Sequence, residues 1–203
     1  MKQPAIPDRL LTAEEFHDWH WQQEGHFELS DGQVVPRFGW EMDAEGRWTM
    51  MTGGRVRHGQ VAGNVLVSLA RQLRGSGCEV FGSDVAVRTG PRNVRYPEVS
   101  VLCDRDELAA INDDTPEITN PKLVVEVLSK STQKTDRGDK LFEYKSIASV
   151  QAIVLIHPVQ RWLDVYVRQS PTEFRNFGLL QGATLVLEDP AVTLTAEEIF
   201  DFV

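Results

Sequence analysis

The stretch Leu123-Val-Val-Glu-Val-Leu128 is the strongest constraint this chain carries. Aliphatic and largely β-branched, it suits a strand in the middle of a sheet, covered on both faces. Strict alternation puts Glu126 on the same face as Val124 and Leu128, where apolar side chains point. An ionised carboxylate buried there costs several kcal/mol unless cations or good donors meet it. The chain must therefore bring a cation or good hydrogen-bond donors to the middle of its own core.

The surrounding pattern gives that strand a setting. Thr12 precedes Ala-Glu-Glu15 in a capping-box arrangement, so a short helix should follow. His26–Val35 reads as two strands turning at Asp31-Gly32. Residues 36–52 are irregular and rich in Trp and Met, with a hairpin or flap the best fit. Val61, Val65, Leu66, Leu69 and Leu73 follow a helical period across 58–74, and Gly75-Ser-Gly77 ends that helix. Strand-like runs follow at 79–89, 98–103 and 123–129, then a helix over 136–148 and strands at 152–157 and 162–168. The tail predicts a hairpin across FGLLQGATLVLE and a short helix from Thr195. The fold class is α/β (α+β), with a mixed central sheet in a single domain.

Composition narrows the class. The 203 residues, 41% hydrophobic and 25% charged, describe an ordinary globular chain with room for a core. No apolar run approaches the ~18 residues of a membrane span, and the N-terminus lacks a signal-peptide pattern. Cys78 and Cys103 are too few for a disulfide framework and match no metal-ligand spacing. The expectation is a soluble, cytoplasmic protein without a membrane partner. The net charge of -9 opposes nonspecific binding to nucleic acid, but it is uneven: residues 1–52 carry -6, 53–172 carry +2, and 173–203 carry -5. Within the centre, Arg55, Arg57, Arg71 and Arg74 occupy 53–75 with no acid, and Arg88, Arg92 and Arg95 form another basic run. A solvated surface with acidic ends explains the charge alone; a centre facing a polyanion is the sharper alternative.

Glu98, directly after Pro97 at the head of a strand, is a second acid of interest. Taken alone it fits a partnered surface acid. Together with Glu126 it suggests a site for a hard, oxygen-loving divalent ion, Mg²⁺ or Mn²⁺. On the next helix Asp136, Lys140 and Tyr144 recur at i, i+4 and i+8 and share a face. Asp136–Lys140 could be a plain surface pair, yet its nearness to Glu126 in sequence lets Lys140 reach back to the carboxylates. His58 opens the basic helix, either to touch a phosphate or as a surface residue. His17, His20 and His26 have no ligand-like spacing and default to the surface, as Asn64 does. The tryptophans at 19, 21, 40 and 48 could stack bases, although core or dimer contacts explain them more simply. No Gly-Lys-Ser/Thr follows Gly53-Gly54, so this is no phosphate loop. Ser129 and Ser131 lack a histidine partner for serine hydrolysis.

The strings YPEVSVLCD and NPKLVVEVLSKSTQKTDRGDKLFEYKSIASVQAIVLI, with FELSDGQVV, HGQVAGNVLVSLARQL and VFGSDVAVR upstream, resemble the Uma-two family of restriction-endonuclease-like proteins in the PD-(D/E)XK nuclease superfamily. The likeness covers most of 12–168. It implies an αβββαβ core, here with extra N- and C-terminal hairpins, in which strand-borne acids bind Mg²⁺ and a lysine assists phosphodiester hydrolysis. Carried over, the family's Pro-Asp becomes Pro97-Glu98, its second acid Glu126, its helix lysine Lys140 and its early glutamate Glu28; Asp84 also matches. Leu128 stands where the superfamily would place lysine, and Glu98 is one methylene longer than the expected aspartate, which tests metal geometry.

The resemblance thus implies a metal-dependent endonuclease acting on nucleic acid, DNA in the first instance, and working as a homodimer. Glu98, Glu126 and the Val127 carbonyl would hold the metal. Lys140 would orient water or stabilise the transition state, with Glu28 completing the network. Asp136 would orient Lys140, Tyr144 would pack, and His58, Arg57 and Asp84 would meet substrate. Two rivals remain: a nuclease fold that has lost catalysis and serves as a binding or assembly module, and a hydrolase of small phosphoesters.

Overall fold

A computed structural model of the chain describes residues 5–38, 41–42, 48–49, 56–129, 138–180 and 182–202. Its centre is a six-stranded mixed sheet. In chain order its strands are β5 (Glu79–Gly82), β8 (Val99–Leu102), β10 (Pro121–Val127), β11 (Ala152–His157), β12 (Trp162–Ser170) and β13 (Glu173–Leu179). Spatially they run β13-β12-β11-β10-β8-β5. Only β10 and β11 are parallel, with Glu126 opposite Leu155. Helix α2 (Val56–Leu73) lies on one face, and its Val61, Val65, Leu69 and Leu73 pack on Val99, Val101, Leu123, Val125 and Val127. The opposite face carries Val124, Leu128, Ile153 and Leu155 under Leu141 and Tyr144 of the next helix. Two-sided burial is what the unbroken aliphatic run demanded.

A second, five-stranded sheet has the order β2-β1-β7-β6-β9. It comprises β1 (His26–Ser30), β2 (Gln33–Phe38), β6 (Ala86–Gly90), β7 (Asn93–Arg95) and β9 (Glu117–Ile118). Helix α1 (Ala13–His20) seats Phe16 on Phe27, Leu29 and Val94. Both halves of its capping box form, as Thr12 and Glu15 predict. The β1–β2 turn uses Asp31 and Gly32, both at positive φ, the conformation such hairpins require. Short strands β3 (Glu41–Met42) and β4 (Trp48–Thr49) pair within the expected flap. Helix α3 (Arg105–Ala110) follows β8. The hairpin of β14 (Thr184–Glu188) and β15 (Ala191–Thr195), with α5 (Ala196–Ile199), closes over α2.

Helix α4 (Asp139–Ser146) crosses from β10 to β11, so the order α2-β5-β8-β10-α4-β11 is the expected αβββαβ core. Three expectations need correction. The run 79–89 is not one strand: the chain turns at Gly82–Val85 and leaves β5 in the six-stranded sheet for β6 in the other. The last hairpin does not span FGLLQGATLVLE, because β13 pairs back onto β12 and β14 pairs forward onto β15. Cys78 and Cys103, flanking the paired strands β5 and β8, form a disulfide that spacing alone did not suggest. Asn64 also departs from a plain surface role, donating to the Ile199 and Asp201 carbonyls and tying α2 to the C-terminal segment.

Candidate active site

The chain passes between the two sheets at Gly82–Ala86 and again at Tyr96–Glu98. The carboxylates gather at this seam. Glu126 faces away from α2 and toward α4, as alternation dictates. On α4, Lys140 and Tyr144 are four residues apart and point to the same side. Tyr144 Oη donates to Glu126 Oε1 at 2.7 Å, and Lys140 Nζ stands 3.4 Å from the same oxygen. Lys140 Nζ also lies 3.0 Å from Glu28 Oε1 of β1. Arg37 of β2 continues the chain of charges, with Nε 3.7 Å from Glu28 Oε1 and Nη2 3.4 Å from Glu98 Oε1. His58, in the first turn of α2, stands 3.7 Å from Glu98 and donates from Nε2 to the Val127 carbonyl at 2.7 Å. Glu126, Lys140, Glu28, Arg37 and Glu98 thus alternate in charge, and His58 closes the ring by linking Glu98 to the Val127 carbonyl of β10.

Local sequence explains the delivery of Arg37. Along β2 Pro36 pairs with Phe27 and Phe38 with His26, leaving Arg37 as the extra residue of a β-bulge. A bulge re-aims its side chain, and here it aims the guanidinium inward. Nη1 is anchored on the Ser83 carbonyl at 2.7 Å. Proline inside a strand is tolerated at an edge or a bulge, and Pro36 was the available signal for Arg37.

The site is buried but not sealed. Side-chain exposure rises from 4% at Glu126 to 11% at Glu98 and 15% at His58, so it opens beside the first turn of α2. Burial raises the Glu98 carboxyl above its ordinary range; Arg37 and His58 oppose the rise and the charge of Glu126 adds to it. Burial also pushes Glu28 upward, but Lys140, Arg95 and Arg37 together outweigh it and hold that carboxyl below the usual range. The Tyr144 phenol is raised well above its normal value by burial and by the charges of Glu126 and Glu28, so it stays a hydroxyl donor.

Glu98, Glu126, Lys140, Glu28, Val127, His58 and Tyr144 therefore assemble as one site. Tyr144 does more than pack. Arg57 is exposed beside His58, and Asp84 is exposed in the β5–β6 turn next to Ser83. Asp136 lies outside the described residues. Sequence reasoning missed Arg37 and Glu143, and placed Arg95 in a basic run rather than in the core. Arg88 and Arg95 do not form a face for a polyanion: Arg88 bonds Glu14 and Glu117, and Arg95 is buried against Glu143 and Glu28. His17 is no surface residue either; its Nε2 lies 2.8 Å from Glu117. His20 is half-buried, stacks on Phe16 and meets Tyr96 Oη, whereas His26 is exposed. Trp19 packs edge-on against Phe27, as a core role predicts, while Trp21 is exposed.

Buried carboxylates and a main-chain carbonyl are oxygen donors of the kind a hard divalent ion takes. Glu126 is buried and Glu98 nearly so, the charge of Glu126 makes ionising Glu98 costlier, and the Val127 carbonyl accepts from His58. Among the described residues no three His, Cys, Asp or Glu side chains surround one point. An ion here would complete its shell with water, as Mg²⁺ habitually does.

Comparison with known proteins agrees with this architecture. Residues 36–197 match the family model Uma2, described as "Putative restriction endonuclease". The chain is 32% identical over 199 residues to the uncharacterized protein slr1290 of Synechocystis sp. (strain ATCC 27184 / PCC 6803 / Kazusa), covering 97% of this chain and 95% of that one. It is 24% identical over 149 residues to the uncharacterized protein sll1609 of the same organism, covering 73% and 75%. The crystal structure of a "putative nuclease belonging to DUF820" from Anabaena variabilis ATCC 29413 superposes with a TM-score of 0.64 at 16% identity, covering 91% of this chain and 96% of that one.

Proposed function

The chain belongs to the Uma2 family of restriction-endonuclease-like proteins, and from that premise we propose that it hydrolyses phosphodiester bonds of nucleic acid, DNA in the first instance, using Mg²⁺ or Mn²⁺. The observation that carries the reading is the row of buried charges at the seam, in which the Lys140 ammonium stands between the Glu126 and Glu28 carboxylates, while Glu98 lies beside Arg37 and beside His58, whose Nε2 bonds the Val127 carbonyl. Glu98, Glu126 and the Val127 carbonyl would hold the ion. Once bound, it would lower the pKa of a coordinated water and neutralise charge on the phosphate.

The remaining roles belong to the chain's own groups. Lys140, fixed between Glu28 and Glu126, would orient the attacking water or stabilise transition-state charge as a compact point charge. Glu28 would hold Lys140 in place, Tyr144 would fix one Glu126 oxygen, and His58 would fix the Val127 carbonyl. Arg57 would meet substrate phosphate at the opening, with Asp84 at the same seam. We further propose a cytoplasmic homodimer without a membrane partner; no described helix is long and apolar enough to cross a bilayer. In a reducing compartment Cys78 and Cys103 would stand as thiols.

The test is calorimetric titration of Mg²⁺ and Mn²⁺ into wild type and Glu126→Gln, with cleavage of duplex DNA, RNA and a small phosphodiester assayed on the same samples. Expected are metal-dependent cleavage of DNA by wild type, and loss of both binding and cleavage in a folded variant. Metal binding with turnover of the small ester alone would make the protein a phosphoester hydrolase. Absence of binding, even with DNA present, would make it a scaffold.

A further inference from the structure

We propose that Arg95 and Glu143 are positioning residues for Lys140 and Glu28, and that the five-stranded sheet acts on the reaction through them. The proposal rests on the nuclease reading above for what the site does, but its geometry stands independently. Arg95 ends β7 and is 1% exposed, first by volume among the fully buried side chains. Its guanidinium meets Glu143 side-on: Nε donates to Oε2 at 2.8 Å while Nη2 bonds Oε1. Nη2 also donates to Ser30 Oγ at 2.9 Å, and Nη1 lies 3.4 Å from Glu28 Oε2. Thr89 Oγ1 of β6 donates to Glu143 Oε2 at 2.6 Å. Glu143 is therefore gripped from two strands of the second sheet.

Glu143 follows Lys140 by three residues, less than one turn along α4. That helix has eight residues, its N-cap Gly138 makes no side-chain cap bond, and the Arg95–Glu143 pair fixes its rotation from the second sheet. The same guanidinium references Glu28, whose other oxygen carries Lys140 at 3.0 Å and accepts the Tyr96 N–H at 3.3 Å. One arginine thus sets both ends of the Glu28–Lys140 contact. Neither Arg95 nor Glu143 touches Glu98 or Val127 in the contacts above, so their effect runs through Lys140 and Glu28. Only a planar fork can serve Glu143, Glu28 and Ser30 together, and a lysine cannot substitute for it.

The test uses the full chain with Arg95→Lys and the double variant Arg95→Gln/Glu143→Gln, which removes both buried charges while keeping hydrogen-bonding amides. Three readouts are taken: kcat and KM for metal-dependent DNA cleavage, Mn²⁺ affinity by calorimetry, and the acylation rate of Lys140 by mass spectrometry. Both variants should lose kcat by about 10- to 100-fold. KM and Mn²⁺ affinity should stay within about twofold, and Lys140 should label about tenfold faster, as expected when a misplaced group loses its orientation rather than its site. Unchanged labelling in a folded variant, or metal affinity falling in step with kcat, would overturn the proposal in favour of plain structural support. If the double variant does not fold, Thr89→Val removes one anchor of Glu143 and must give the same pattern at smaller size. A wild type that neither binds Mn²⁺ nor cleaves would sink the nuclease reading, while the labelling arm would still decide the positioning claim.

Discussion

Replacing Lys140 by methionine puts the charge ring to a quantitative test. The ammonium lies 3.0 Å from Glu28 Oε1 and 3.4 Å from Glu126 Oε1, with all three side chains nearly inaccessible. At an effective dielectric of about 20, each contact carries roughly 5 kcal/mol of raw attraction, much of it cancelled by the cost of desolvating the charges. What decides the outcome is the asymmetry: removing one partner leaves two buried carboxylates short of a cation. The expected loss is about 3–5 kcal/mol, a large share of the ~5–15 kcal/mol that holds a domain folded. Urea unfolding of wild type, Glu28→Gln, Lys140→Met and the double variant at pH 7 forms the cycle, and the Glu28–Lys140 coupling should be about 1–3 kcal/mol. The pH dependence supplies a sign. Because Glu28 is held below its ordinary range, its contribution is fully present above the unfolded carboxylate pKa and is lost as pH falls through the lower folded value. The gap between wild type and Lys140→Met should therefore narrow in acid. A coupling below about 0.5 kcal/mol, or a gap that widens in acid, would refute the view that Lys140 is held chiefly by these charges.

Two further outcomes follow from single contacts. Tyr144→Phe deletes a fully buried hydroxyl that donates to Glu126 at 2.7 Å; the loss should be about 1.5–3 kcal/mol by urea melts, and a neutral substitution would show that another donor takes over that oxygen. The Cys78–Cys103 disulfide closes a loop with a sequence separation of 25. Reduction should lower stability by about 3.5 kcal/mol on the loop-entropy model, seen as a lower urea midpoint with dithiothreitol and no change in Cys78→Ser/Cys103→Ser.

Much of the site was legible because its signals are local. Glu126 was conspicuous since a two-residue period fixes which face each residue of an aliphatic strand occupies, and the face it shares with Val124 and Leu128 is the one α4 covers. Lys140 and Tyr144 were paired by the same logic at a period of four. Thr12–Glu15 and Asp31-Gly32 specify their cap and turn through backbone groups only a few residues away. Glu98 stood out by its place after Pro97 at the head of a strand, whereas Glu28 came through family likeness, which carries information about distant contacts that periodicity lacks.

Tertiary structure decided what depends on partners far along the chain. EVFGSDVAVRT reads as one strand, yet the turn after Gly82 divides it between two sheets, and that division creates the seam where the acids meet. Arg88 and Arg95 looked like a basic face because charge is visible in a sequence and its consumption is not; Glu117 and Glu143, which neutralise them, lie 29 and 48 residues away. Arg37 entered the site through a bulge set by how β2 registers against β1. The cysteines pair because β5 and β8 are neighbours in the sheet. Which faces and turns could exist was written in the local order of residues, because those follow from backbone geometry over a few residues. Only the packing of one sheet edge beside another determined which buried charges share a site, because that is settled by register between segments whose separation leaves no periodic trace.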